Sequence, residues 1–406
     1  MITVYGQLTY CTNIHGGEAW DEHFASLRSY FPQIKQALSP GQPMGIGLRL
    51  ANLASTLLVQ PQRLEEFKEW LEQVGGYVFT MNGFPFGAFH DTRVKEQVHA
   101  PDWTSEDRLQ YTKRLATVLS QLLPEGMDGG ISTSPLAYRH AYNHDDAIWS
   151  TMRKRSTAHI IEVAVHLHGI WEERGQEIHL DIEPEPDGVL ETGPEFIQWF
   201  MQELIPAGVI RFSEKFGMSA DAAEEALRRY IRLCYDVCHF ALGYEQHQEV
   251  MDALVQQGIK IGKFQISAAL KARLPENVTD RTAIGDAFRA FDEPTYLHQV
   301  LALQKNGTVR RFKDLPDAQD ALKDPDTTEW RSHFHVPVFL EDLGTLQSTQ
   351  SDIRDVLAIQ QANPVTRHLE VETYTWGVLP PELQLPIADS ISRELRWVLE
   401  EMETRA

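Results

Sequence analysis

Hydrophobic and polar positions alternate along this chain in a repeating way. Short runs of strand type lie at 8–14, 44–50, 76–82, 129–134, 178–183, 232–238 and 259–266. Between them are longer stretches whose apolar residues recur at helical spacing, among them 62–74, 105–122, 147–173, 194–216, 220–231 and 244–257. Buried strands followed by amphipathic helices are the pattern of a parallel sheet covered by crossover helices. Two strand-like runs remain after the seventh, 333–339 (HFHVPVF) and 367–373 (RHLEVET), where a closed barrel needs one. The segment 296–312 reads as an inserted hairpin with Asn306 and Gly307 at its turn. We assign the eighth barrel position to HLEVET, place HFHVPVF beside the barrel mouth, and read 386–402 as the closing helix. The expected fold is α/β: a (β/α)8 TIM barrel with an inserted hairpin and an extra strand near the C-terminal mouth, one domain over 1–406. No internal repeat or linker interrupts it.

Composition narrows the partners. The 406 residues are 42% hydrophobic and 23% charged, which is enough apolar material for a full core. Acidic residues outnumber basic ones by 58 to 37, giving a net charge of -21. Such a field disfavours nucleic acid and favours metal cations. Three cysteines (Cys11, Cys234, Cys238) cannot all pair, and the start MITVYGQLTYCTN lacks a signal-peptide pattern, so a reducing cytoplasm is the expected location. No run approaches the roughly 18 apolar residues of a membrane span.

Candidate chemistry collects at the C-terminal ends of the strands, the face on which barrels assemble their sites. Glu183 ends the fifth strand, with Glu185 just beyond it in IHLDIEPEPDG. Asp236 and His239 stand three apart in LCYDVCHFALG. Glu370 and Glu372 alternate in LEVETYTW, as do His333 and His335 in RSHFHVPVF. Oxygen ligands with imidazole suit Mg, Mn or Zn. Each cluster alone also has a plain structural reading: a salt-bridged barrel-end acid, an internal Asp–His hydrogen bond, or a solvated edge-strand face. Cys234 and Cys238 read as small core residues, and the Arg153–Arg155 run reads as a solvated helix face. The case for a site is convergence, because distant strands end in ligand-type residues that a barrel would aim at one point.

The strand-end Glu, the Asp-x-x-His and the late Glu-Thr resemble the xylose isomerase-like superfamily of sugar isomerases, epimerases and apurinic-site nucleases. The stretches LTYCTNIHGGEAW, NGFPFGAFH, VKEQVHAPDW, EPEPDGVLET, CYDVCH, HFHVPVF and HLEVETYTWGVLP together are similar to the EboE family of metabolite traffic proteins. That resemblance implies a small precursor metabolite as ligand and other proteins of the same pathway as partners. It places Glu183, Asp236 and Glu372 as metal carboxylates, with His239 where such proteins contact substrate or metal. The seventh-strand position that usually holds His is Gln265 here. Either its amide oxygen coordinates, or His335 replaces the imidazole, or metal binds weakly.

Three functions follow. In a metal-dependent isomerase or epimerase, Glu183 and Glu372 hold a divalent ion and exchange a proton with the substrate. His239 contacts that substrate, Lys263 and Gln265 orient its oxygens, and His15, Arg49, Asn82 and His333 line the pocket. Trp376 and Tyr374 wall it. A second reading is a metabolite carrier that kept the barrel without turnover. A third, a metal-dependent nuclease or phosphodiesterase suggested by the histidine pairs, conflicts with the acidic charge.

Overall fold

The computed structural model describes residues 1–403 apart from 90–93, 143–144, 297, 378, 380 and 382–383. Parts of the segment 84–103 after the third strand, of the hairpin segment and of the last motif therefore lie outside the described residues. Eight parallel strands follow one another around a barrel: Gly6–Tyr10, Met44–Arg49, Gly76–Asn82, Gly129–Thr133, Ile178–Ile182, Ile231–Asp236, Ile261–Ile266 and His368–Val371. The last pairs in parallel with both the first and the seventh, so HLEVET does occupy the eighth position. Closure between the first two strands comes from a parallel bridge of Cys11 to Gly47, with Thr9 Oγ1 donating to Gly45 O at 2.8 Å and accepting from Gly47 N at 3.1 Å. Gly47 is required there, since a Cβ would stand 1.8 Å from Glu370 Oε1 and 2.6 Å from Tyr10 O.

Most barrel strand positions are buried, as expected for strands packed between interior and helices. The helices between them carry the expected local signals. Thr192 and Glu195 form a capping box at the start of Gly193–Trp199, and Asp145 caps Asp146–Arg174. The expected elements differ locally from the structure. The first strand, expected over 8–14, ends at Tyr10, and Thr12–Ile14 is a short 3₁₀ turn. The segment 194–216 is two helices, Gly193–Trp199 and Ile205–Phe216, joined by a π turn at Phe200–Leu204. Pro206 has no N–H to continue the α ladder, and the wider turn accommodates that loss. The sixth strand stops at Asp236 instead of running to 238, because Asp236 caps a short helix, Val237–Leu242, by accepting from His239 N at 3.2 Å.

The chain between the seventh and eighth barrel strands builds a second, antiparallel sheet. Its strand order is Val309–Phe312, Val300–Gln304, Thr327–Val336, Ala268–Arg273, Leu346–Ser348, Asp342–Leu343. The expected hairpin is its outer pair, and HFHVPVF supplies the end of Thr327–Val336. Ala268–Arg273, one residue past the seventh barrel strand, was not anticipated. It anchors the added sheet directly on the barrel mouth. The three cysteines are buried and unpaired. Among the described residues no helix is long and apolar enough to cross a membrane.

Candidate metal centre at the barrel mouth

Barrel alternation turns every second residue inward. On the last strand and just past it these are His368, Glu370 and Glu372; on the fifth, His179, Asp181 and Glu183; on the seventh, Lys263 and Gln265. The interior is therefore stacked with polar side chains where barrels usually hold branched apolar ones. In the middle, the Lys263 ammonium donates to Glu370 Oε2 and, at 3.0 Å, to Ser132 Oγ. Burial opposes charge on Lys263, but Glu370 holds its pKa above the ordinary lysine value. Lys263 is thereby spent beneath the mouth and does not line the cavity above it.

At the mouth, one carboxylate oxygen each from Glu183, Asp236 and Glu372 lies within 4.8 Å of the others, and all three groups are buried. The Gln265 amide nitrogen faces all three, at 3.3 Å from Glu183 Oε1, 3.3 Å from Asp236 Oδ2, and in contact with Glu372 Oε2. Two N–H bonds cannot satisfy three carboxylates. Asn13 and Asn82 donate to Glu372 Oε1 at 2.6 and 3.1 Å, and Ser267 donates to Asp236 Oδ1 at 2.6 Å. Glu183 Oε2 is buried without a hydrogen-bond partner.

These contacts separate the carboxyls electrostatically. Burial, then the charges of Glu372 and Asp236, push Glu183 well above the ordinary glutamate value. Burial, then Asp236 and Glu370, do the same to Glu372. Asp236 is also opposed by burial, yet His239, His335 and the Ser267 hydroxyl hold it below its ordinary value. An acidic triad with an orphaned oxygen, its nearby lysine already paired, fits a divalent cation.

The added sheet brings the imidazoles. His335 Nδ1 lies 3.0 Å from the main-chain oxygen of Glu372, which fixes the proton there and leaves Nε2 as a bare lone pair, 4.0 Å from Asp236 Oδ2. Burial lowers its pKa to about 4, so the ring is neutral and able to ligate. Asp236, His239 and His335 form one ligand-type cluster, and Glu185, His239 and His333 a second beside it. His239 Nδ1 sits 3.0 Å from Pro184 O, and its Nε2 lies 3.1 Å from His333 Nε2.

A cavity of about 60 Å³ lies over this set, lined by Asn13, Asn82, Glu183, Glu185, His239 and Glu372 among others. Its roof is a cluster of Phe89, Val94 and Tyr296 packed against Tyr374. Of the residues expected to form the pocket, Asn82, Glu183, His239, His333, His335 and Glu372 line it. Asp236 and Gln265 lie directly beneath. His15 is stacked on Tyr30, Arg49 donates to Gly87 O, and Trp376 stacks on Phe339; none of the three lines the cavity. Sequence reading did not single out Asn13, Gln299, Tyr296 or His99, whose Nε2 is 2.9 Å from Glu185 Oε1. Asn13 and His99 lie in short 3₁₀ turns and Gln299 and Tyr296 in loops, where no long periodicity marks which residues turn inward.

No family model matches the chain, and no curated protein matches it. Solved structures do align with it. An IOLI protein with a binding zinc atom is 12% identical with a TM-score of 0.47, over 98% of each chain. A D-tagatose 3-epimerase-like protein is 10% identical with a TM-score of 0.47, over 98% of this chain and 99% of its own. D-Psicose 3-epimerase with D-tagatose, from Clostridium cellulolyticum H10, is 10% identical with a TM-score of 0.42, over 98% of each chain.

Proposed function

We propose that this chain handles a small precursor metabolite, in the manner of an EboE-type barrel, at a divalent-metal site in its mouth, and that it works as an isomerase- or epimerase-like enzyme on a hydroxylated or keto substrate. The observation that carries this reading is the buried triad of Glu183, Asp236 and Glu372 with its unpartnered Glu183 oxygen. Glu183, Asp236 and Glu372 would hold the ion, with His335 Nε2 supplying the nitrogen that the seventh strand lacks. When bound, a divalent ion polarises substrate oxygens and stabilises negative charge as it develops on them.

The chain's own groups do the rest. In the metal-free site, burial and mutual repulsion raise Glu183 and Glu372 well above the ordinary glutamate value, which favours carboxyls able to take and return a proton. His239, between the triad and His333, faces the cavity and can hold a substrate hydroxyl. The aromatic roof excludes water from the reacting atoms.

The cavity volume favours a second reading. About 60 Å³ is well below the roughly 300–1,000 Å³ of small-molecule pockets, so the roof must shift before a sugar-sized ligand enters. A carrier that encloses its cargo without turnover fits the same geometry. Elemental analysis of protein purified without chelator tests the shared premise. Glu183→Ala, Asp236→Ala and Glu372→Ala should each carry one ion fewer than the wild type, and equal metal content in all four would end the metal reading. Incubation of the metal-loaded protein with keto and aldo sugars in deuterated water then separates the two readings. Deuterium at a carbon beside the carbonyl supports the enzyme, and ligand binding without exchange supports the carrier.

A further inference from the structure

The opposite end of the barrel holds a second set of ligand-type side chains that the mouth chemistry does not use. Asp128 immediately precedes the fourth strand, His179 lies in the fifth, and His368 opens the eighth. One ligand atom from each lies within 4.8 Å of the others. Both histidines are fully buried, and Asp128 stands at the rim with its side chain 20% exposed.

The hydrogen-bond inventory of this cluster does not close. His179 Nδ1 is 2.5 Å from Asp181 Oδ1, and a carboxylate only accepts, so the ring proton sits on Nδ1. Its Nε2, buried and without a hydrogen-bond partner, points at Asp128 Oδ2 from 3.7 Å. Neither ring nitrogen of His368 has a hydrogen-bond partner, and its Nε2 stands 3.5 Å from Asp128 Oδ1. A lone pair on His179 Nε2 facing Asp128 is repulsive unless a proton or a metal cation lies between them, and the His368 ring can carry its single proton on Nδ1 and turn Nε2 to a shared ion. These separations of 3.7 and 3.5 Å are long for hydrogen bonds and lie near the roughly 3.3–3.6 Å between two atoms each about 2.0–2.2 Å from a tetrahedral zinc.

Two more features shape the cluster as a site. Asp181 behind His179 is the carboxylate that commonly orients a metal-bound imidazole. Gly130 leaves room over the cluster, since a Cβ there would meet Asp181 Oδ2 and His179 Cε1 at 2.7 Å and His368 Nδ1 at 3.0 Å. The neighbouring Arg232 donates to Asp128 Oδ2 at 3.4 Å, and through its other nitrogens to Glu177 and, at 3.1 Å, to Arg229 O, which leaves Asp128 Oδ1 facing His368. A cavity of about 600 Å³ lined by Gly6, Gln7, Asp128 and Lys260 opens on this face and supplies an entry path.

We propose that Asp128, His179 and His368 form a zinc-class metal site with three protein ligands at the barrel floor, separate from the mouth and independent of the function proposed for it. The bound ion ties the fourth, fifth and eighth strands together across the floor, the face of a barrel whose role is stability.

The test uses the full chain, stripped of metal and reloaded with zinc alone. Zinc per chain should fall by one in Asp128→Asn and in His368→Gln, and this loss should persist when either is combined with Glu372→Gln. Crystals measured at the zinc edge should show an anomalous peak between the three side chains that Glu372→Gln retains and Asp128→Asn loses. Asp128 is at the rim, so its variant should fold, which circular dichroism checks. Equal zinc content in folded Asp128→Asn and wild type, with no peak at the floor, would overturn the proposal and leave an imidazolium–carboxylate network in its place. Zinc lost in Asp128→Asn but unchanged in Glu372→Gln would uphold the floor site while refuting the mouth site.

Discussion

Replacing Glu183 by glutamine removes one charge from the mouth triad at little hydrogen-bond cost. Its Oε1 accepts only the 3.3 Å contact from Gln265, and its Oε2 has no partner to lose. With ligand atoms up to 4.8 Å apart, each pair of carboxylates repels by about 3.5 kcal/mol at an effective dielectric near 20. Proton uptake caps the realised penalty, since a carboxyl that holds its proton in the fold costs at most about 1.4 kcal/mol per pH unit above its unfolded value. The folded pKa of Glu183 is raised above the ordinary 4.5. Its contribution to stability is therefore fully present below pH 4.5 and is lost as pH rises through the folded value.

In metal-free protein, Glu183→Gln should thus match the wild type near pH 4.5 and exceed it by about 1–3 kcal/mol at pH 8. Urea unfolding of chelator-treated samples across that range measures the difference. With metal at a thousand times its dissociation constant the order should reverse, because the wild type gains about 4.1 kcal/mol that the variant forgoes. A variant no more stable than wild type at pH 8 without metal, or a difference that does not change with pH, would refute the electrostatic reasoning.

Other perturbations probe the surrounding layers. Removing His335 as alanine should weaken metal binding about 10- to 100-fold by calorimetric titration, and more than Gln265→Ala does, if the imidazole is the ligand. Lys263→Met strands Glu370 in the barrel interior and should destabilise the fold by about 3–5 kcal/mol, a loss that Lys263→Met with Glu370→Leu largely restores in denaturant unfolding. Tyr374→Ala opens the roof and should raise the association rate of small ligands in stopped-flow measurements, while metal content stays unchanged.

Much of this fold was legible in the pattern of residues. Period-two and period-3.6 hydrophobicity located the barrel strands and the helices between them, because burying a strand or a helix face leaves a local trace in sequence. The Asn306-Gly307 hairpin was equally visible. What escaped was set by non-local packing or by one capping side chain. Ala268–Arg273 reads as a continuation of the seventh strand, and Asp236 stops the sixth strand through a single hydrogen bond.

The site divides along the same line. Alternation places Glu183 and Glu372 on the inner face of their strands, and a closed barrel makes such residues converge, so the carboxylates could be named from sequence alone. The same alternation aims Lys263 inward, yet only the tertiary structure shows it neutralised by Glu370 below the mouth. His333 and His335 depend on an added sheet folding back over the barrel, and His99 and Asn13 on 3₁₀ turns too short to leave a period. At the floor, His179 and His368 sit 189 positions apart in sequence with ring centroids 5.2 Å apart in space. The sequence by itself determined which side chains face the barrel interior, because that depends on the two-residue repeat of a strand. Which of them meet, and which charges remain unpaired, was decided only by the tertiary structure, because strand register and loop closure join residues that no local pattern relates.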